Sequence, residues 1–183
     1  MDIQLKYRKT SRLSMRIVKN GDVHVSAPYG MPQQEIEAFV EQHREWIDKA
    51  RQKTAERQKR QAEFYKGLRL DTYEQKYRAE QKLIDMVEPM VRRYSNEIGV
   101  YPTRIEYKIM TSKWGMCNVR KRTICFSIYL LLLPTWCVEH VVVHELCHLI
   151  EPNHSARFHA LMDQYFPSWR EARKETRRMA MDM

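Results

Sequence analysis

The feature that most constrains this chain is a nearly apolar segment, TWCVEHVVVHELCHLI at 135–150, that carries three histidines. His144 and His148 are four residues apart, so on a helix they lie on one face, one turn apart. Unpaired imidazoles are costly to bury in such apolar surroundings. The segment therefore predicts a buried helix whose two histidines can bind the same metal ion.

Glu145 follows the first of these histidines and completes the pattern HExxH. In this pattern the glutamate lies beside the open coordination position, where it can take a proton from metal-bound water. The pattern predicts a zinc-dependent hydrolase with His144 and His148 as ligands of Zn²⁺ and Glu145 as general base. The competing interpretation is a pair of core histidines that bind no metal.

An open zinc site needs a third protein ligand, and two interpretations compete for it. His154 follows His148 by six residues, which is the spacing of the longer pattern HExxHxxGxxH, although Glu151 and Pro152 occupy the turn where that pattern has glycine. The alternative is a glutamate of the last helix, Glu171 or Glu175. We favour His154.

Charge and composition favour some partners and argue against others. The net charge of +9 is typical of chains with polyanionic partners. However, the basic stretches 51–82 and 170–178 also contain glutamates, as solvated helix faces do. A nucleic-acid-binding module with structural zinc is thus an alternative that we do not favour, because a closed four-ligand site does not need Glu145. No apolar run is long enough for a membrane span or a leader, so we expect a cytoplasmic protein with no membrane partner.

The order of predicted elements indicates an α+β protein. Strands are expected in IQLKYR, LSMRIVK and DVHVSAP, with Asn20-Gly21 forming a hairpin between the last two. Pro32 opens a helix that is expected to bury Trp46 and Ile47 and to continue to about Lys59 or beyond. A second long helix begins at Tyr73, is kinked at Pro89 and stops at Gly99. The segments IEYKIM and TICFSIYL then form two strands, joined by SKWGMCNVRKR.

This joining segment contains the candidate substrate-binding residues. If it borders the metal, its cations can bind a polyphosphate, whereas a solvated hairpin tip is the competing interpretation. A core role for the tryptophan is an equal alternative. The reaction therefore stays open between a peptide bond and the phosphoanhydride of a nucleoside triphosphate, with a peptide or a nucleotide as substrate. The candidates are Lys113, Trp114, Gly115, Arg120 and Arg122.

Four segments resemble one known family. HELCHLIEPNHSARF is similar to the signature of YgjP-like metal-dependent hydrolases, which are related to the SprT-like and WLM zinc peptidases. SKWGMC resembles the (R/K)WGxC segment of that family, TICFSIYLLLLP resembles the strand that follows it, and RLSMRIVKNGDVHVSAPYG resembles its N-terminal sheet. The resemblance covers nearly the whole chain.

The resemblance implies both a domain organisation and a ligand set. It implies a zincin-like metallohydrolase domain, assigned to 73–183, preceded by a small β-rich subdomain with a long charged helix, assigned to 1–72. It also implies that His144, His148 and His154 are the ligands and that Glu145 is the catalytic carboxylate. Two positions differ from the family: His140 replaces its usual tyrosine and His159 its usual aromatic residue. Both changes add an imidazole near the site.

Overall fold

The computed structural model describes residues 3–18 and 20–180. By internal contacts the chain divides into two compact units, one that ends at Arg60 and one that begins at Gln61. Residues 61–72 group with the second unit, whereas the sequence predicted them to belong to the first. The expected domain boundary at 72 stays a prediction. Within the described residues, no helix is both long and apolar enough to cross a membrane.

The first unit contains a three-stranded sheet formed by β1 (Ile3–Arg8), β2 (Ser14–Ile17) and β3 (Val23–Pro28). β2 and β3 are antiparallel, as the Asn-Gly pair predicted, and β1 pairs with β3 in parallel. Lys19, the last residue of the predicted second strand, lies outside the described residues. Alternate residues of β3 are buried with apolar side chains of the following helices, and this forms a separate small core.

The helical region after this sheet consists of two helices rather than the single helix expected. α1 (Gln33–Gln42) is followed by His43, whose backbone leaves the helical conformation, and α2 (Arg44–Lys66) begins at the next residue. Ile47 is fully buried as predicted, but Trp46 is 47% exposed. Because of the break at His43, the residues of α2 face different directions from those they would face on a continuous helix. The burial of Trp46 that the spacing predicted was therefore wrong.

The second unit opens with α3 (Tyr73–Ile98), whose two ends follow known capping rules. The Thr72 hydroxyl accepts a hydrogen bond from the Gln75 amide, and the Gln75 side chain accepts one from the Thr72 amide. Gly99 adopts a left-handed φ of 78°, as a helix C-cap requires, and this confirms the predicted stop. The helix continues through Pro89.

A second sheet corrects the sequence prediction for this region. It contains β4 (Arg104–Lys108), β5 (Gly115–Asn118) and β6 (Thr123–Ser127) in the order β4-β6-β5. β4 and β6 are parallel, so they cannot form the hairpin that the sequence suggested; the joining segment supplies β5, antiparallel to β6. β6 ends at Ser127, where a 3-10 helix (Ile128–Leu132) begins. The four-residue β5 was not predicted because a strand that short has almost no periodicity.

Three helices complete the second unit: α4 (Thr135–Cys147), α5 (Ala156–Tyr165) and α6 (Trp169–Ala180). α4 contacts α3, α5, α6 and β5, so it is covered on nearly every side. This position explains why its sequence is apolar all round, since a helix of that kind is stable only when buried. The expected α+β class is confirmed, and the more specific zincin-like description stays a prediction.

Candidate metal centre and cleft

Three imidazoles converge at the C-terminal end of α4. The Nε2 atom of His144 lies 3.1 Å from the Nε2 atom of His148 and 3.1 Å from that of His154. One ligand nitrogen from each ring lies within 4.8 Å of the others, and no other such cluster of histidine, cysteine and acidic residues occurs in the described ranges. Two ligands of a tetrahedral zinc ion at its usual Zn–N length are about 3.3 Å apart. The spacing of these imidazoles therefore fits one zinc ion.

Local backbone structure orients two of the three rings. His148 is the C-cap of α4, and its Nδ1 lies 3.0 Å from the carbonyl oxygen of Glu151. A hydrogen bond from Nδ1–H to that carbonyl leaves the lone pair of Nε2 directed at the cluster, which is the usual way of fixing a ligand tautomer. His154 immediately precedes Ser155, whose hydroxyl accepts a hydrogen bond from the Phe158 amide and caps α5. The predicted cap at Ser155 is thus confirmed.

Phe158 is the common packing partner of the three rings. Its side chain is 1% exposed, and its ring centroid lies 4.9 Å from that of His144, 4.6 Å from that of His148 and 4.8 Å from that of His154. This contact restricts the orientation of every imidazole in the cluster. Sequence reasoning missed Phe158, although its position three residues after a capping serine, on the inward face of α5, was a usable signal.

Burial keeps the imidazoles of His144 and His154 neutral. The pKa of His144 is lowered to about 2, first by desolvation and then by the nearby histidines and Arg173. Desolvation also lowers the pKa of His154, with a further contribution from His148. Only the neutral imidazole can donate a lone pair to a metal, so at neutral pH these two residues are in the form that a metal ion requires.

Glu145 lies beneath the edge strand β5. Its side chain is 5% exposed, and burial raises the pKa of its carboxyl group to about 8, an effect that the charge of Lys113 partly offsets. The carboxyl group lies so close to Gly115 that a Cβ atom built on this glycine would be 2.5 Å from Oε1 and 2.6 Å from Cγ of Glu145. The absence of a side chain at position 115 therefore makes room for the carboxylate.

A cavity of about 530 Å³ opens beside the imidazole cluster. It is lined by His144, His154 and Glu145, and of the candidate substrate-binding residues it brings together Lys113, Trp114 and Gly115.

Arg120 and Arg122, the other two candidates, do not line this cavity. Arg122 has a left-handed φ of 52°, and its guanidinium donates to the carbonyl oxygen of Tyr101. This contact gives Arg122 a structural part in the turn that precedes β6.

α6 supplies cavity-lining residues that the sequence analysis had not selected. Arg173, Thr176 and Arg177 reach the same cavity, whose wall also includes His140 and His159. His140 is buried, its Nδ1 atom has no hydrogen-bond partner among the described residues, and burial lowers its pKa to about 4. His140 thus lies in the wall of the cavity.

The two glutamates considered as alternative ligands lie elsewhere. Glu171 is an exposed residue of α6 that does not line the cavity. Glu175 accepts two hydrogen bonds from the Arg178 guanidinium, at 2.8 and 2.6 Å. Neither carboxylate belongs to the imidazole cluster.

Three converging imidazoles beside a buried carboxylate, in an open cavity, are the groups that a metal-dependent hydrolase requires. The chain belongs to the YgjP-like family, whose metallopeptidase-domain model matches residues 11–82 and 72–179. This confirms the resemblance noted in the sequence and supports a metal-dependent hydrolase.

Similarity to individual proteins is weaker than similarity to the family. Among solved structures, the crystal structure of the metallopeptidase zymogen of Pyrococcus abyssi abylysin matches 52% of this chain and 96% of its own, with 18% identity and a TM-score of 0.49. No curated protein sequence matches this chain significantly.

Proposed function

We propose that this protein is a zinc-dependent peptidase in which His144, His148 and His154 bind the metal and Glu145 is the general base. The observation that carries the proposal is the convergence of the three Nε2 atoms next to the buried Glu145 carboxylate. Three protein ligands leave one position of a tetrahedral zinc ion open, as in catalytic rather than structural zinc sites. The chemistry of the ligands also agrees with zinc, because neutral imidazole is among its preferred donors.

The reaction follows from the chain's own groups. A zinc ion held by His144, His148 and His154 would supply Lewis acidity, which would polarise the scissile carbonyl and make water more acidic. The Glu145 carboxylate accepts the proton of the attacking water and returns it to the departing nitrogen. Its raised pKa suits both steps near neutral pH, because a general base works best when its pKa lies close to the working pH. Lys113 moderates that pKa from the cavity wall.

The edge strand β5 favours a peptide substrate. β5 pairs with β6 on one side only, and within the described residues no strand pairs with its other side. Gly115, at the start of β5, lines the cavity beside Glu145. An extended peptide can add to such an edge through main-chain hydrogen bonds, which would direct its scissile bond toward the metal centre.

Hydrolysis of a phosphoanhydride is the second candidate function. Its specific support is the set of cationic side chains along the cavity, Lys113, Arg173 and Arg177, since guanidinium and ammonium groups bind phosphate. The family relationship supports a peptide and gives no support to a nucleotide or nucleic-acid partner. We therefore rank the peptide first.

Metal analysis combined with a turnover screen tests the proposed function. We expect about one zinc per chain and hydrolysis of unstructured peptides. Glu145→Gln should retain the zinc and lower kcat by on the order of a hundredfold or more, as the loss of a general base predicts. Glu171→Gln, which changes an exposed carboxylate of α6, is the matched control and should leave both quantities unchanged. Full turnover by zinc-loaded Glu145→Gln protein would contradict the proposed role of Glu145.

A further inference from the structure

The cavity wall contributed by α6 is strongly cationic. Arg173 and Arg177 are one helical turn apart and line the cavity together with Lys113 from the segment before β5. Glu145 is the one acidic side chain among the described lining residues, so Lys113 and Arg173 alone already outnumber it. A zinc ion bound by neutral imidazoles would add two more positive charges. A cavity with this excess attracts negatively charged ligands.

Arg173 is the cation of α6 that acts on the metal centre. It lines the same cavity as His140, which lies in the wall, and as His144 and His154 of the imidazole cluster itself. Among the described residues it has no ion-pair or hydrogen-bond partner. Arg173 is an exposed residue that lines the cavity, so it is available to a ligand.

Other arginines of the same helix are bound to protein groups. The Arg170 guanidinium donates two hydrogen bonds to Asp163, at 2.6 and 3.3 Å, and stacks on the Trp169 ring. Arg178 is paired with Glu175. α6 thus binds Arg170 and Arg178 to acidic partners, whereas Arg173, near the imidazoles, has no such partner among the described residues.

The start of α6 is held firmly, which fixes the position of Arg173 one turn later. The Trp169 indole donates to the same Asp163 carboxylate at 2.8 Å. The His159 ring stacks on Trp169 with an angle of 3° between their planes and centroids 5.2 Å apart. These contacts fasten α6 to α5, the helix that begins just after His154. A guanidinium carried by a fixed helix is preorganised for a ligand.

We propose that Arg173 is a specificity-determining residue that binds a negatively charged group of the substrate next to the scissile bond. A guanidinium beside a divalent ion is repelled by it, and an anion placed between the two removes that cost. The planar guanidinium of Arg173 matches two oxygen atoms of one carboxylate or phosphate. Lys113, on the same cavity wall, increases the local concentration of such ligands. The inference rests on the proposed function, because the anion is part of the molecule hydrolysed.

Titration with inorganic phosphate tests the anion site without turnover. The protein is zinc-loaded and carries Glu145→Gln, and phosphate binding is measured by calorimetry at low ionic strength. Adding Arg173→Gln should weaken binding tenfold to a hundredfold, roughly the loss of a charge-assisted hydrogen bond. Lys174→Gln removes the same charge from an exposed neighbour outside the cavity and should change binding less than twofold. Equal weakening of phosphate binding by the two variants would show that the effect depends only on net charge, and it would overturn the proposal.

Paired substrates identify which anion the site uses. The Glu145-intact protein is given peptides that differ only by Asp against Asn near the scissile bond, the same peptides with free or amidated C-termini, and a nucleoside triphosphate. We expect kcat/KM to favour the anionic member by at least about tenfold. Arg173→Gln should remove this preference and Lys174→Gln should keep it.

The outcomes separate the two proposals. Peptide cleavage with no preference for charge would overturn the role of Arg173 and leave the peptidase intact. Cleavage of the triphosphate alone, lost in Arg173→Gln, would support the anion site and overturn the peptide substrate. If neither the peptides nor the triphosphate is hydrolysed but phosphate binding still depends on Arg173, the proposed hydrolase function is overturned. The anion-binding role of Arg173 then remains.

Discussion

Gly115 offers the sharpest test of how the fold positions the proposed catalytic carboxylate, that of Glu145. Ordinary contacts of a Cβ atom begin near 3.4 Å, whereas an added Cβ would lie 2.5 Å from Oε1 of Glu145. In Gly115→Ala the carboxyl group must therefore move by nearly 1 Å. A displacement of that size costs on the order of a hundredfold in rate. Overpacking of the buried contact should also lower the free energy of unfolding by about 1–3 kcal/mol.

A double-mutant cycle assigns this effect to the contact with Glu145. Unfolding by denaturant is measured for the parent, Gly115→Ala, Glu145→Ala and the double variant, together with kcat/KM for the first two. If the added methyl group acts through the Glu145 side chain, its destabilisation should vanish in the Glu145→Ala background. Full activity of Gly115→Ala, or the same destabilisation in both backgrounds, would refute the reasoning.

The other predictions concern the proposed metal ligands and the residues packed against them. His154→Ala should lose far more zinc affinity than the 10- to 100-fold typical of a change outside the ligand set, whereas Glu171→Ala should keep its zinc. Competitive zinc titration of both variants against the parent measures the difference. If only Glu171→Ala loses zinc, the third ligand lies on α6 and the assignment of His154 is wrong. Phe158→Ala should destabilise the protein by about 3–5 kcal/mol and weaken zinc binding roughly 10- to 100-fold. Phe158→Leu should lie closer to the parent in both quantities. Unchanged zinc affinity in Phe158→Ala would show that the Phe158 ring does not hold the imidazoles in place. Burial lowers the pKa of His140 from 6.5 to about 4, so between these values the unfolded chain binds more protons than the folded one. The metal-free parent should therefore lose stability relative to His140→Gln as the pH falls from 6.5 to 4, and a constant difference in denaturation free energy would contradict this.

Regular periodicity accounts for the parts of the fold that the sequence predicted well. The long helix α3, with its start at Tyr73 and its stop at Gly99, has both a buried stripe and recognisable caps. The hairpin of β2 and β3 likewise has alternating residues around Asn20-Gly21. The predictions failed where the signal was short or non-local. β5 is only four residues long, and the parallel pairing of β4 with β6 joins segments separated in the chain.

The sequence by itself determined the groups that can do chemistry. The helical spacing of His144 and His148 is a local property, because four residues make about one turn wherever the helix lies. The adjacent Glu145 and the capping signal at Ser155 are local in the same sense. Such features depend only on residues close together in the chain, so the amino-acid sequence is sufficient to predict them.

Tertiary structure decided what surrounds those groups. The place of Glu145 against Gly115, the packing of Phe158 on the imidazoles and the position of Arg173 in the cavity all bring together residues distant in the chain or on different helices. In α6 the sequence shows Arg170 and Arg173 as equivalent surface cations. Only the fold assigns one to Asp163 and the other to the cavity, because that choice depends on how α6 docks on α5 rather than on any spacing within it.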